Sequence, residues 1–166
     1  MDTSLKNVIV EKAKTSKIDQ VDFNNLSFGS IVTDHMMVCD YKNGSWETPK
    51  VVPYQPITLD PSSKIFHYGQ SVFEGMKAYK DTDNNVWLFR PLENQKRINI
   101  SSKRLAIPEF PEEYFMEGLK TLLKLEQQWI PQTEGSSLYI RPFVFATGKG
   151  FHASPADEYK FIIACA

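Results

Sequence analysis

Strand formers and helical stripes alternate along the chain in a simple order. Ile31–Tyr41 (IVTDHMMVCDY), Met76–Lys80, Val86–Arg90, Ser137–Ala146 and Tyr159–Ala166 are apolar-rich runs of strand length. Between them, Arg90-Pro91 opens a helix that runs to about Ala106 and stops before Pro108. Its proline stands where a missing N–H costs nothing. A second helix starts near Pro111, with Glu112 and Glu113 in a first turn whose dipole favours acids. Phe115, Leu119, Leu122, Leu123 and Trp129 recur along it at helical spacing.

Shorter signals fill in the rest. Asn7–Glu11 is a candidate short strand, and Asn43-Gly44 marks a tight turn after the Ile31–Tyr41 run. Three prolines in Trp46–Thr58 limit any strand there to a short or edge one. His67–Phe73 has helical character, with Gly75 as its stop. Asp81–Asn85 joins two strands into a hairpin, and Thr147–Asp157 is a loop. Strands, two helices, then strands predict an α+β domain, a mainly antiparallel sheet with two principal helices packed on it. Residues 1–27 read as an arm with a short strand, and 28–166 as the domain proper.

Composition narrows the class. A chain of 166 residues, 42% apolar and 23% charged, can bury one real core. A net charge of -1 carries no electrostatic footprint for nucleic acid, and no block of like charge suggests a membrane surface. Cys39 and Cys165 match no metal or redox spacing and read as buried free thiols of a reducing compartment. With no signal-like or spanning apolar run, a cytoplasmic location is expected, and the Asn-x-Ser triplets at Asn25, Asn43 and Asn99 are chance matches. The chain stops at an apolar strand with no polar tail, so a fragment of a longer protein is expected.

Candidate chemistry is sparse when taken residue by residue. Arg90, at a strand end and a helix start, suits a phosphate or carboxylate, or is a surface arginine lying over apolar neighbours. Tyr139 and Arg141 stand two apart on one strand, so a hydroxyl and a cation share a face. That pair suits a substrate carboxylate or a solvated face, and Pro142 suggests an edge or a bulge. Lys77 sits in a short alternating run and reads as solvent-facing rather than as a nucleophile. His35, His67 and His152 are isolated, and Asp34-His35 on a strand would point to opposite faces. Metal sites and the familiar nucleophile and nucleotide motifs find no match.

Taken together, the residues say more. HYGQSVFEGMKAY at His67–Tyr79 is followed by LFRP at Leu88–Pro91 and the spacing R-P-x-x-N-x-x-R-x-x-x-S-x-x-R-L over Arg90–Leu105. With TDHM at Thr33–Met36, WIP at Trp129–Pro131 and LYIRP at Leu138–Pro142, this resembles the branched-chain amino-acid aminotransferases, pyridoxal-phosphate enzymes of fold type IV. The resemblance runs from about Phe28 to the end and implies the small N-terminal domain of such an enzyme. It implies that Arg90 binds the phosphate of pyridoxal 5'-phosphate, and that Tyr68, Phe73, Tyr139 and Phe28 line the substrate side-chain pocket. Arg141 corresponds to the residue that meets the second carboxylate of glutamate or 2-oxoglutarate. The partners implied are amino acids, 2-oxo acids and a second subunit. In family dimers, the segment matching Gly148–Ala153 reaches towards that subunit's pocket; here it reads GKGFHA in place of the usual glycine-valine ending. The family's Schiff-base lysine lies in a later G-G-x-K-like passage that has no match here. The reading is half of an aminotransferase for leucine, isoleucine or valine; the alternative is a stand-alone binding domain descended from one.

Overall fold

The computed structural model describes residues 8–23 and 25–166. In chain order the strands are β1 (Ile9–Val10), β2 (His35–Lys42), β3 (Ser45–Trp46), β4 (Lys50–Pro53), β5 (Ser71–Phe73), β6 (Met76–Lys80), β7 (Val86–Leu88), β8 (Leu138–Ala146) and β9 (Tyr159–Cys165). The helices are α1 (Lys64–Tyr68), α2 (Pro91–Arg104) and α3 (Glu112–Leu125). One sheet runs in the order β1-β4-β2-β9-β8-β6-β7, with β3 paired to β2 and β5 to β8. Among the described residues, every strand pairing is antiparallel except β1 with β4. This is the α+β fold expected from the order of elements.

Alternation sorts the central strands into two faces. Met37 and Cys39 of β2, with Phe161, Ile163 and Cys165 of β9, enter the main core beneath α3. Met36 and Ile162, their sequence neighbours, join Phe145 in a smaller cluster on the other face, where Ile65 of α1 packs. Phe115, Leu119 and Leu122 form the buried stripe of α3, and each contributes about 1.5–3 kcal/mol by leaving water. Gly118 of α3 lets the helix approach β2 closely, because a Cβ there would lie 2.9 Å from Met37 Cε. Phe110 stacks on Phe161 at 3.8 Å between centroids, and Asn99 and Gln95 of α2 bind its backbone.

Several boundaries differ from the sequence expectation, each for a local reason. The predicted strand from Ile31 begins at His35, because the residues before it belong to a loop tied to the arm. Of the expected strand from Asn7, Ile9–Val10 is formed, and Asn7 lies outside the described residues. The helix expected at His67–Phe73 is instead α1 (Lys64–Tyr68). Gly69, at φ 61°, closes it, and the following residues extend to pair with β8 as β5. Gly75 is therefore not a helix stop. Trp129 leaves α3 for a short 3-10 turn.

Pro142 lies in a central strand, not at an edge. Its missing N–H falls at the seam where β8 changes partner from β6, ending at Ile140, to β5, starting at Phe143. At that seam Glu74 N–H donates to the Pro142 carbonyl at 2.8 Å. Tyr139 and Ala166 exchange two backbone hydrogen bonds of 2.9 Å, so β8 residues of that parity direct their N–H groups to β9 and Pro142 does not.

Candidate functional site

Tyr139 and Arg141 on β8 meet as their spacing predicts. The guanidinium donates from Nη2 at 3.0 Å and from Nε at 3.2 Å to the Tyr139 hydroxyl. It also stands 4.5 Å above the Phe73 ring of β5. Phe28 packs edge-on against Tyr139 at 5.0 Å. Four of the sequence-selected residues thus form one cluster, an aromatic wall bearing a cation. Phe28 is 78% and Phe73 62% exposed, so the wall is open to an apolar guest.

Gly75 permits this arrangement. A Cβ there would lie 2.8 Å from the Tyr139 hydroxyl and 3.3 Å from its ring. The preceding Glu74, 6% exposed, receives Arg97 Nη2 at 2.6 Å, a second contact from Arg97 Nε and Asn94 Nδ2 at 3.0 Å. Burial raises its pKa, but these donors outweigh it and hold the carboxyl below its usual range. Through Glu74, helix α2 is bolted to the strand that carries Phe73. Glu74-Gly75 and the α2 spacing both lie in the motif runs of the sequence, but nothing local in them shows that they bind each other.

Arg90 is the residue that starts α2. It holds a left-handed conformation (φ 49°, ψ 51°), costly for a residue with a Cβ, and this turns the chain from β7 into the helix. Its side chain is exposed, and Nη2 lies 3.8 Å from Glu93, which pairs more closely with Lys96 at 3.1 Å. A cation at the positive end of a 14-residue helix fits a phosphate, although the first turn has few N–H groups to add, since Pro91 has none and the Glu93 N–H donates to the Arg90 carbonyl at 3.0 Å.

Tyr68 stands apart. It ends α1, and its hydroxyl donates to the Phe151 carbonyl in the loop 147–158. The buried Lys64 clamps that loop, donating to Ser154 Oγ at 2.7 Å, Ser154 O at 3.0 Å and Pro155 O at 3.1 Å. Lys77 is exposed, pairs with Tyr139 across the β6–β8 ladder, and borders a cavity of about 250 Å³ with Phe28 and Tyr139.

One functional-looking cluster escaped the sequence. His35, expected to be isolated, points Nδ1 at Glu126, which is 1% exposed, while its Nε2 accepts the Ala13 N–H at 2.8 Å. The Asp34 side chain engages the arm and Trp129, and its backbone N–H joins the His35 ring at Glu126. Glu126 is 92 positions from Asp34, beyond the reach of any local pattern. Among the described residues, no group of His, Cys, Asp or Glu could hold a metal ion, and no helix is long and apolar enough to cross a membrane.

Comparison with known proteins gives this geometry a context. No protein-family model matches the chain. It is 46% identical over 159 residues to branched-chain-amino-acid aminotransferase 2 of Bacillus subtilis strain 168, covering 95% of this chain and 44% of that protein. A probable branched-chain-amino-acid aminotransferase of Staphylococcus aureus strain N315 is 48% identical over 157 residues, covering 94% and 43%. The crystal structure of the T.th. branched-chain amino acid aminotransferase with pyridoxamine 5'-phosphate superposes with a TM-score of 0.54 at 28% identity, over 76% of this chain and 39% of that one. The Escherichia coli enzyme, at 24% identity and a TM-score of 0.56, shows the shared fold over 80% and 40%. The chain spans less than half the length of the relatives it matches.

Proposed function

We propose, from its kinship with the branched-chain aminotransferases over nearly its whole length, that this chain is the small N-terminal domain of such an enzyme. In the complete protein the amino group of leucine, isoleucine or valine would pass to 2-oxoglutarate. Residues 1–27 would be its arm and 28–166 the domain. The observation that carries this reading is the aromatic cluster with its cation, in which Arg141 lies over Phe73 and binds the Tyr139 hydroxyl. A branched aliphatic side chain needs an apolar slot, whereas the side chain of 2-oxoglutarate ends in a carboxylate and needs a cation at the same place. Arg141 supplies that cation without disrupting the slot, because its guanidinium stands over an aromatic ring, 4.5 Å from the Phe73 centroid.

Each residue then has a task. Phe28, Phe73 and Tyr139 exclude water and hold the aliphatic chain; by the resemblance Tyr68, which here bonds the 147–158 loop, would line the same pocket in the complete enzyme. Arg141 takes the distal carboxylate. Arg90 and the first turn of α2 would hold the phosphate of pyridoxal 5'-phosphate. That cofactor, when bound, supplies an electron sink for chemistry at the amino-acid carbon. Glu74 keeps α2, and so Arg90, in register with the slot. The family's Schiff-base lysine has no counterpart in this sequence, so the isolated chain is expected to be inactive. A homodimer and a cytoplasmic location belong to the same proposal.

The test is transamination by the complete enzyme with leucine as donor. Arg141→Met should lower kcat/KM for 2-oxoglutarate about a hundredfold or more while sparing a branched 2-oxo acid, because a site built for a charge loses its partner. Equal losses with both acceptors would overturn the role of Arg141. The 166-residue chain itself, reduced with borohydride in the presence of pyridoxal 5'-phosphate, should carry no stoichiometric lysine adduct. A single specific adduct, at Lys77 for example, would overturn the assignment of a missing lysine.

A further inference from the structure

The described residues between Lys17 and Asp34 belong to a loop whose two ends, at Lys17 and Val32, meet. We propose that Asp34 is a positioning residue, closing this loop at its neck so that Phe28, near the tip, stands against Tyr139 and sets the depth of the side-chain slot. The inference rests on the slot reading above for its functional half only.

The neck is polar, and Asp34 at its centre is buried. The Asp34 carboxylate accepts the Ser16 hydroxyl at 2.5 Å, the Lys17 N–H at 3.1 Å and the Trp129 indole N–H at 3.1 Å. Lys17 Nζ donates to the Val32 carbonyl at 3.0 Å, so three hydrogen bonds join the two ends of the loop. A second layer lies behind. The Ala13 N–H occupies His35 Nε2, so the ring proton is on Nδ1 and is directed at Glu126. The other Glu126 oxygen accepts the Asp34 N–H at 3.1 Å. The Thr33 N–H donates to the Cys165 carbonyl at 3.0 Å, fixing the outgoing strand to the sheet.

The tip is different. Ser27–Ser30 is a tight turn in which the Ser30 N–H and hydroxyl both donate to the Ser27 carbonyl, at 3.1 Å and 2.7 Å, with Gly29 at φ 70°. Phe28 projects from this turn to Tyr139. Between neck and tip, Phe23 meets the Trp129 ring at 6.4 Å, and Phe23 and Leu26 line a cavity of about 440 Å³. Leu26 and Phe28 border the adjoining cavity of about 250 Å³ beside Lys77. Ile18, Val21 and Ile31 pack the base of the loop on the main core, but its outer part rests over the two cavities, so the place of the tip depends on how the base is tied. Trp129 joins the neck to the loop, donating to Asp34 through its N–H and touching Phe23 with its ring. An aromatic wall hung on such a loop moves when the knot loosens.

The experiment places 4-fluorophenylalanine at position 28 of the 166-residue chain and follows its fluorine resonance. Asp34→Asn keeps the shape but loses acceptors for Ser16 and Trp129, and should shift the resonance towards that of the urea-unfolded chain. Ser16→Ala, at an exposed residue outside the core, removes one neck bond and the local Ile18 N–H bond to the same hydroxyl, and should shift it partway. Should Asp34→Asn fail to fold, the Ser16→Ala shift decides. An unmoved resonance in folded Ser16→Ala and Asp34→Asn proteins overturns the proposal. In the complete enzyme, both variants should narrow the kcat/KM preference for leucine over 2-aminobutyrate about tenfold, chiefly through KM for leucine. A general loss of structure would lower both substrates together, and that result would overturn the positioning role. If the complete enzyme does not transaminate aliphatic amino acids, the slot reading fails, while the fluorine measurement still decides whether Asp34 places Phe28.

Discussion

Replacing Gly75 with alanine tests whether the close approach of β6 to Tyr139 shapes the site. The added Cβ would sit 2.8 Å from the Tyr139 hydroxyl and 3.3 Å from its ring, so the tyrosine must swing aside. Overpacking of this kind costs about 1–3 kcal/mol. Moving the hydroxyl also weakens its bonds to Arg141, each contributing about 0.5–1.5 kcal/mol at most and less here, where the guanidinium is exposed. Alanine restricts the unfolded chain, which returns about 0.4–1 kcal/mol. The balance is a destabilisation of about 1–2 kcal/mol. Urea unfolding followed by circular dichroism measures it directly. In a Tyr139→Phe background the nearest clash is gone and only the ring contact remains, so the same substitution should cost about 1 kcal/mol less. An equal penalty in both backgrounds would refute the claim that the glycine is there for the tyrosine hydroxyl.

Two further outcomes follow from buried groups. Burial pushes the Cys39 thiol up to about 12, helped by the charges of Asp40 and Glu47, and raises Cys165 as well. Neither should react with a thiol reagent at neutral pH until the chain unfolds, and rapid labelling of the native protein would contradict the packing of β2 and β9. Glu74 has a folded pKa below its ordinary value near 4.5, so its contribution to stability is present above that value and is lost as pH falls through the lower, folded one. Arg97→Met removes the main donors and leaves the burial, so acid unfolding should begin at higher pH. An acid transition identical to that of the parent chain would mean that the Glu74–Arg97 pair is not formed in solution.

Much of this was legible in the chain, and the limits are physical. The Met76–Lys80 and Val86–Leu88 hairpin, both long helices and the terminal strands follow from local spacing. Tyr139 and Arg141 share a face because strand geometry forces residues two apart to do so. What local pattern cannot supply is the partner of a strand or of a buried charge. Ser71–Phe73 is too short for its two strand formers to settle the matter, and it becomes a strand by pairing with β8 beyond the seam. Glu74 finds Arg97 through 23 positions and His35 finds Glu126 through 91, and only the fold decides those meetings. The neck at Asp34 was hidden for the same reason, although its residues stood in a run, Thr33–Met36, already marked by the resemblance. Tyr68, grouped with Phe73 by the resemblance, ends α1 in this chain with its hydroxyl bound to the Phe151 carbonyl, a partner 83 positions away that local pattern also cannot supply.

Pro142 carries one more consequence. Antiparallel strands can pair one residue out of step, and such a slip exchanges the two faces of a strand. If β8 slipped in this way, Tyr139 and Arg141 would point to the opposite side of the sheet. The same slip would turn Pro142 towards β9, where a backbone donor is required and proline has none. In the observed pairing that deficiency costs nothing, because it falls at the seam between β5 and β6. A residue that touches neither cation nor ring therefore proofreads their orientation, by penalising the misassembled sheet and leaving the native one unaffected.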